Sequence, residues 1–267
     1  MSLRDAITVM VLTHNEEANI GRTLEAVRWA DRILLVDSGS TDRTLIIAAT
    51  YAQVRIVQRR FDSFAAQCNF GLDNIMTPWV LSLDADYVLT DEISHEIEHL
   101  SPPEQVSGYR ARFIYRVRGK ALRSTVYPPR TVLYRRQRAR YRNEGHAHRV
   151  MLDGEVRRLG GRIFHDDRKP LSRWLESQQR YARSEADHLL ATPRSALGPM
   201  DRIRRMGWLA PIGVLPFALI LKGGLLDGRA GLLYAFQRQL AETMIAIEIM
   251  DRRLRRRTPD DGAPSND

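Results

Sequence analysis

Short apolar runs alternate with polar segments along the N-terminal part of the chain. Between these runs, apolar residues recur at helical spacing, as at Ile20, Leu24 and Val27. Strands that alternate with helices and are joined by short loops predict βαβ units and a mostly parallel sheet. The runs with the composition of buried strands are residues 7–13, 32–37, 54–57 and 79–83, and two further helices are predicted around residues 45–49 and 65–74.

The pattern changes after about residue 100. Residues 109–117 and 131–135 have the composition of short strands, which we expect to be antiparallel additions to the edge of the sheet. Arginine and lysine are dense between residues 109 and 142, with tyrosine and phenylalanine interleaved. A solvated strand face is one explanation for this charge. The density also indicates that some of the arginines hold phosphates.

The C-terminal third is predicted to be helical. Residues 170–192 form a polar helix by pattern, whereas residues 207–221 are apolar and uncharged but contain two prolines. That run is shorter than the roughly 20 residues a membrane-spanning helix needs. We predict an interfacial or re-entrant membrane segment over 207–226, with a buried hairpin as the alternative.

A stripe of apolar residues follows, which could face a membrane or be core packing. The arginines at 252–257 close this helix, and a basic cluster beside apolar segments suits an anionic membrane leaflet. Residues 258–267 have the composition of a disordered tail. The stripe consists of Leu233, Phe236, Leu240, Met244 and Ile247.

The amino-acid composition favours some classes of binding partner over others. The 267 residues include 41 Lys and Arg against 32 Asp and Glu, a net charge of +9 that favours anionic partners such as nucleic acid, anionic lipid or a phosphorylated glycan. The single cysteine, Cys68, excludes an intramolecular disulfide and a cysteine-based zinc cluster, and fits a reducing cytoplasm. We see no signal peptide pattern at the N-terminus.

Two acids, Asp84 and Asp86, end the fourth predicted strand. Carboxylates at the C-terminal edge of a parallel strand open into the crevice where α/β proteins bind ligands. Two oxygen ligands there suit Mg²⁺ or Mn²⁺ carrying a diphosphate. The ends of the first two strands also carry polar groups, in the loops 13–16 and 37–42. The second loop also has the composition of a helix-capping turn. Taken together, the three strand ends predict one shared ligand crevice.

These motifs together resemble the family 2 glycosyltransferases with the GT-A fold. The resemblance covers about residues 5–100 and rests on Thr-His-Asn-Glu, Val-Asp-Ser-Gly-Ser-Thr-Asp and Leu-Asp-Ala-Asp in this order. Trp29-Ala30-Asp31, Phe64 with Gln67 and Asn69, and the segment 222–228 resemble the bacterial lipopolysaccharide core glucosyltransferases of that family. The resemblance implies a GT-A domain over 1–168, with a nucleotide-sugar half to about residue 100 and an acceptor half after it, and a helical membrane-associated region over 169–257.

The resemblance implies an inverting, metal-dependent transfer of a hexose, glucose by expectation, from a UDP-sugar. It assigns Asp84 and Asp86 to the metal, Mg²⁺ or Mn²⁺, with Asp86 the stronger candidate and also part of the catalytic set. His165 is a further candidate metal ligand, or else part of a strand-end turn. The residues that would bind the nucleotide-sugar are Thr13, Asn15, Glu16, Asp37, Gln67, Asn69 and Asp84.

Inversion in one displacement needs a general base near the acceptor hydroxyl. Relatives commonly carry Val-His-Glu here, whereas this chain has Ala147-His148-Arg149. His148 matches, but arginine replaces the glutamate of the family. We therefore name Glu144 and His148 as the candidate catalytic residues, and the identity of the base stays open between them.

The expected partners are a nucleotide-sugar donor, a phosphorylated glycolipid acceptor such as lipopolysaccharide core, and the anionic inner leaflet of the bacterial plasma membrane, to which the protein would attach peripherally from the cytoplasm. A polyprenyl phosphate is the alternative acceptor, and an inactive nucleotide-sugar-binding relative is the alternative to an enzyme. A nucleic-acid binder would carry a recognised motif or aromatic platforms along a basic stripe, which we do not find. A nucleotidyltransferase would normally show a glycine-rich loop after the first strand, and the first 20 residues contain no glycine.

Overall fold

The computed structural model describes residues 3–144 and 147–256, with backbone alone at residues 144, 147 and 148. The chain divides into two compact units, Met1–Pro170 and Leu171–Asp267. The first unit is built on a large sheet and the second on helices.

Eleven strands are present in the described part of the first unit. They are β1 Ile7–Thr13, β2 Ile33–Asp37, β3 Val54–Gln58, β4 Trp79–Asp84, β5 Tyr87–Leu89, β6 Val106–Val117, β7 Lys120–Ala121, β8 Arg130–Arg135, β9 Ala139–Glu144, β10 Ala147–Leu152 and β11 Glu155–His165. The helices between them are α1 Ile20–Ala26, α2 Thr44–Ala48, α3 Phe64–Asp73 and α4 Asp91–Glu98.

The main sheet has the strand order β3-β2-β1-β4-β8-β6-β11-β5, and β7 pairs with β6. The first four strands in this order are parallel, as the sequence predicts. β1, β2 and β4 are largely apolar and buried, which is typical of a parallel sheet covered on both faces, whereas β3 at the edge exposes Arg55 and Gln58. The rest of the sheet is mixed, so the prediction of a mostly parallel sheet holds only for this half.

The two strands predicted as edge additions lie inside the sheet. β8 is antiparallel to β4 and to β6, as expected, but β11 pairs in parallel with β6 and carries β5 beyond it. The sequence pattern did not reveal β11 because the strand contains three exposed arginines and two adjacent glycines. β9 and β10 form a separate antiparallel hairpin.

The core of the first unit lies on both faces of the sheet. On one face, α1 and α4 cover a cluster that includes Leu35, Leu81 and Ile93. On the other face, α3 packs its buried side over Met10 and Val80. Ser63 begins α3 by accepting a hydrogen bond from the Ala66 amide, a standard N-cap. This packing fixes the strand ends that carry the polar loops.

The described part of the second unit contains four α-helices, of which the first matches the predicted polar helix closely. Arg204 lies between these helices and donates to both carboxylate oxygens of Glu242, with Glu185 within ion-pair distance. Pairing of this kind is what allows charged groups to be buried. The helices are α5 Leu171–Ala191, α6 Pro199–Met206, α7 Leu209–Pro216, which continues as a π-helical turn over Phe217–Leu221, and α8 Gly228–Arg255.

The segment predicted to meet a membrane folds as a bent pair of helices. Among the described residues, no single helix has the length and apolarity needed to cross a bilayer. Pro199–Met206 together with Leu209–Leu221 reaches that length and composition, with a bend of 118° between the two parts. Apolar side chains with high exposure cluster in this part of the chain: Ile212, Ile220, Leu221, Leu225 and Leu226.

Candidate active site

The ends of three strands lie side by side at one edge of the sheet. In the register of the parallel strands, Thr13 pairs with Asp37 and Leu12 pairs with Asp84. The loops after β1, β2 and β4 therefore leave the sheet from adjacent positions. This placement brings together the three loops that the sequence predicts to share a crevice.

The loops after β1 and β2 are joined by hydrogen bonds. Asn15 has a left-handed backbone (φ 55°), a conformation that asparagine tolerates better than most residues. Its amide donates to Ser40 Oγ at 2.9 Å, and its side-chain Oδ1 accepts from the Thr41 amide at 2.8 Å. Gly39, between them in space, has φ 87°, which favours glycine. The two loops therefore form one rigid structure.

Asp37 shapes the second loop from within. Its side chain is buried, and its carboxylate accepts hydrogen bonds from the Gly39 and Ser40 amides and from the Ser40 hydroxyl. Gln67, also buried, donates to Ser38 Oγ at 2.6 Å and so ties α3 to the same loop. The assignment of Asp37 and Gln67 to the nucleotide stays a prediction, and the contacts described here give both a role in holding the loop.

Asp86 and His165 form a close pair of possible metal ligands. His165 Nε2 lies 3.0 Å from Asp86 Oδ2, and the two side chains are 16% and 14% exposed. Their backbones are also joined, since the Asp166 amide donates to the Asp86 carbonyl at 3.0 Å. Burial lowers the pKa of His165, but the charge and hydrogen bond of Asp86, together with the charges of Asp84 and Asp167, outweigh burial, and the net pKa is raised.

This pair fits a divalent cation. Asp86 Oδ1 and His165 Nδ1 are buried and have no hydrogen-bond partner among the described residues. A carboxylate with an imidazole suits Mn²⁺, and carboxylates alone suit Mg²⁺. In the described part of the chain, no three of the His, Cys, Asp and Glu side chains form a complete metal cluster. A bound cation would therefore take its other ligands from water and from a ligand such as a diphosphate.

Negative charge is concentrated near Asp86. Burial, and then the charge of Asp86, raise the pKa of Glu16 to about 7, although Lys169 and Asn19 act in the opposite direction. Lys169 Nζ lies 2.6 Å from Glu16 Oε1 and so bridges the first loop to the segment after β11. An added cation would relieve the repulsion between the two carboxylates.

The segment after β11 is held in place by a buried network. Asp166 is completely buried and pairs with Arg22 at 2.6 Å and Arg168 at 3.1 Å. Asn19 donates to Glu16 and to Asp167, and it accepts from Arg22 and from the Arg168 amide. The network fixes α1 against the end of β11, where His165 lies.

Asp84 is the more exposed of the two acids and faces an arginine. Its Oδ2 lies 3.8 Å from Arg130 Nη1, and 37% of its side chain is exposed. Arg130 is itself held by the hydroxyls of Tyr87 and Tyr127. The assignment of Asp84 to the metal and donor stays a prediction.

The candidate catalytic base lies near the turn of the β9–β10 hairpin. In the backbone register, Glu144 pairs with Ala147 and His148 with Asn143. The side chains of Glu144 and His148 lie outside the described structure, so their assignment stays a prediction. Asn69 positions this hairpin, because its amide both donates to and accepts from the Tyr141 backbone, at 3.0 and 2.9 Å. The assignment of Asn69 to the nucleotide-sugar stays a prediction, and these two hydrogen bonds are the contacts described for its side chain.

Most of the described arginines in the basic middle region have structural partners. They donate to backbone carbonyls, pair with surface carboxylates or lie over aromatic rings, as arginines on a solvated strand face do. Arg130 is the member of this series that reaches the Asp84 carboxylate. The arginines with structural partners include Arg112, Arg116, Arg123, Arg135, Arg138 and Arg140, as well as Arg130 itself.

Sequence reasoning missed several residues of this site. Arg22 and Lys169 each meet an acidic partner only through the order of the strands. The cluster of charges at 165–169 was the local signal for Lys169. Arg130 belongs to the arginine series that the sequence analysis expected to hold phosphates, but its contact with Asp84 was not predicted.

Comparison with known proteins shows the family of this chain. The family model of Glycosyl transferase family 2 matches residues 8–152, more than half of the chain, and the chain belongs to that family. The predicted family is therefore confirmed. The match contains the ends of β1, β2 and β4, together with both strands of the β9–β10 hairpin.

One curated relative matches along most of its length. The lipopolysaccharide core biosynthesis glycosyltransferase LpsC of Rhizobium meliloti is 25% identical over 248 residues, which cover 86% of this chain and 89% of LpsC. An uncharacterized glycosyltransferase of Rickettsia bellii is 33% identical over 110 residues, or 41% of this chain. The matched region spans only 37% of that relative.

A solved structure shares the fold. The mannosyltransferase PcManGT from Pyrobaculum calidifontis, solved with GDP-Man and Mn²⁺, aligns with a TM-score of 0.54 and 17% identity. The alignment covers 95% of this chain and 88% of that protein. The predicted GT-A type of fold is thus confirmed for the α/β part, with a helical extension after it.

Proposed function

We propose that this protein is an inverting glycosyltransferase that moves a hexose, glucose by expectation, from a nucleotide-diphospho-sugar to a membrane-borne envelope glycan such as lipopolysaccharide core. The observation that carries the proposal is the adjacency of Thr13, Asp37 and Asp84 at one sheet edge, next to the Asp86–His165 pair. The match to LpsC along most of both chains supports the choice of acceptor.

Each group of residues would have a separate role in sugar transfer. Asp86 and His165, with Asp84 beside them, would hold a divalent cation; when bound, that cation supplies Lewis-acid stabilisation of charge on the departing nucleotide. The joined loops after β1 and β2 would enclose the nucleoside, since their backbone is already rigid in the protein. Glu144 or His148 would accept the proton of the acceptor hydroxyl. The network around Asp166 would keep His165 in register with Asp86.

A donor screen by calorimetry tests the proposal directly. We expect UDP-glucose to bind in the presence of Mg²⁺ or Mn²⁺ and to bind much more weakly when the metal is removed with a chelator, because the cation neutralises the diphosphate. GDP-mannose, the ligand of PcManGT, is the natural comparison. The proposal fails if no nucleotide-sugar binds with either metal. A transfer assay with lipopolysaccharide core or with polyprenyl phosphate then distinguishes the two acceptors.

We also propose that the helical unit attaches the enzyme to the anionic inner face of the bacterial plasma membrane from the cytoplasm. Five aliphatic side chains between residues 212 and 226 are 64–77% exposed, and such apolar surface is typical of a contact site. Lys222 and Arg229 beside them are exposed cations that suit anionic lipid.

The arginine cluster at 252–257 is a less selective place to test attachment. Arg252 pairs with Asp187, and Arg253 donates to the Met206 carbonyl, so both stabilise the helical unit itself. Replacing them would change stability as well as charge. Arg257 lies outside the described residues.

The double change Leu225→Ser and Leu226→Ser is therefore the more direct test of attachment. We expect it to reduce binding to phosphatidylglycerol-containing vesicles by about tenfold or more, because each buried leucine contributes about 1.5–3 kcal/mol. Vesicle co-sedimentation measures the effect. Ile46→Ser, which alters an equally exposed residue of the first unit, is the control. Equal binding by wild type and the double variant would refute the membrane role of this segment.

A further inference from the structure

Arg130 is fixed at the site before any substrate binds. Its Nη1 donates to the Tyr127 hydroxyl at 2.9 Å and to the Tyr87 hydroxyl at 3.2 Å. The two hydroxyls lie 2.7 Å apart, and the ring of Tyr87 is buried. The guanidinium carbon also lies 5.5 Å from the centre of the Tyr127 ring. Much of the rotamer freedom of this long side chain is therefore already lost, which lowers the cost of binding through it.

The same aromatic cluster connects Arg130 to the proposed metal pair. The Tyr127 ring contacts the His165 ring edge to face, with 5.2 Å between centroids. His165 in turn meets Asp86, while Arg130 Nη1 lies 3.8 Å from Asp84. One packed group of side chains thus places a fixed cation beside Asp84 and connects it through the aromatic rings to the Asp86–His165 pair.

Part of the guanidinium is left for a ligand. Every hydrogen bond that Arg130 makes to the described residues uses Nη1, and 30% of its side chain is exposed. Nε and Nη2 remain as two adjacent donors in one plane. This geometry matches two oxygens of a phosphate group better than a single point charge does.

We propose that Arg130 binds phosphate oxygens of a substrate in this site, either the diphosphate of the donor or a phosphate on the acceptor. The inference rests on the proposed function, because that function brings phosphate to this edge of the sheet. Asp84 would then orient the guanidinium, and the two tyrosines would keep it from turning towards solvent. Arg130 is in this view a substrate-binding residue, distinct from the residues that hold the cation.

Calorimetry on Arg130→Gln tests this proposal without an activity assay. The first arm compares UDP with uridine in the presence of Mg²⁺, and the second measures inorganic phosphate on protein saturated with UDP and Mg²⁺. Arg157→Gln is the matched control, because it removes the same charge from an exposed position on β11. Thermal unfolding of each variant shows whether the fold is kept.

We expect Arg130→Gln to weaken phosphate binding by about tenfold, the effect of losing one charge-assisted contact of this kind. If Arg130→Gln weakens the binding of UDP but not of uridine, Arg130 binds the diphosphate of the donor. If it weakens only the binding of inorganic phosphate, Arg130 binds a phosphate on the acceptor. If Arg130→Gln fails to fold, Tyr127→Phe keeps the charge but releases Nη1, and about a threefold loss is expected from one weaker hydrogen bond.

Affinities within twofold of wild type in both arms overturn the role of Arg130 while leaving the proposed function intact. If wild-type protein binds no UDP, the donor part of the proposed function fails instead. The binding of inorganic phosphate is then measured without nucleotide. If the wild-type protein binds no phosphate under this condition, the role of Arg130 is also overturned.

Discussion

Replacing Asp86 with alanine is expected to reduce sugar transfer by about a thousandfold or more, because the change removes charge stabilisation at the reacting centre. Asp86 is the carboxylate that pairs with His165, and its second oxygen is buried without a hydrogen-bond partner in the described structure. Mn²⁺ affinity, measured by electron paramagnetic resonance, is expected to fall in parallel. Measuring both the transfer rate and the Mn²⁺ affinity distinguishes loss of the bound cation from loss of substrate binding.

Asp73→Ala is the matched control for this experiment. Asp73 is an exposed acid at the end of α3 that pairs with Arg140, and surface pairs of this kind contribute little to stability. We expect its transfer rate and Mn²⁺ affinity to equal those of the wild type. Turnover retained by Asp86→Ala, with a normal unfolding temperature, would remove the metal assignment.

Glu144→Gln is expected to lower the turnover rate by about 10²–10⁴-fold, the usual contribution of a positioned general base. Donor affinity should stay the same, because the amide keeps the size of the side chain and the base acts on the acceptor. Steady-state rates together with calorimetry of UDP-glucose measure both effects. Glu155→Gln, at an exposed ion pair with Arg157, is the control.

Normal turnover in Glu144→Gln would transfer the role to His148, the other candidate on the hairpin. Asp166 is a poor alternative, because its side chain is 1% exposed and is paired with Arg22 and Arg168. A base must reach the acceptor hydroxyl, and this carboxylate is enclosed by its partners. A strong loss in His148→Gln, with Glu144→Gln normal, would settle the assignment in favour of the histidine.

The strands that build the site could be predicted because their signal is local. β1 spans residues 7–13 as predicted, and β4 ends at Asp84 as predicted, since a buried parallel strand needs an unbroken apolar run. The long helix α8 extends well beyond the predicted apolar stripe at both ends. Its end at Arg255 lies within the arginines 252–257 that the sequence analysis expected to close the helix, whereas its start at Gly228 lies before the stripe and was not predicted.

The edge of the sheet was harder to predict. β11 has three exposed arginines, at positions 157, 158 and 162, and a Gly160-Gly161 step, which lowers its strand propensity. Gly161 packs directly against Ile93 on α4, where an added Cβ would lie 2.6–2.8 Å from Ile93 atoms. The close approach explains the glycine, but only the packed structure reveals the neighbour that requires it.

The amino-acid sequence determined which polar groups end which strands, because the apolar period and the turn residues act over a few positions. Its motifs also placed the chain in its family. The tertiary structure decided which of these groups meet: Asp86 with His165, Glu16 with Lys169, and Asp84 with Arg130. These partners are separated by tens of residues or more along the chain. Their contact depends on the order and register of the strands, and no local pattern of residues contains that information.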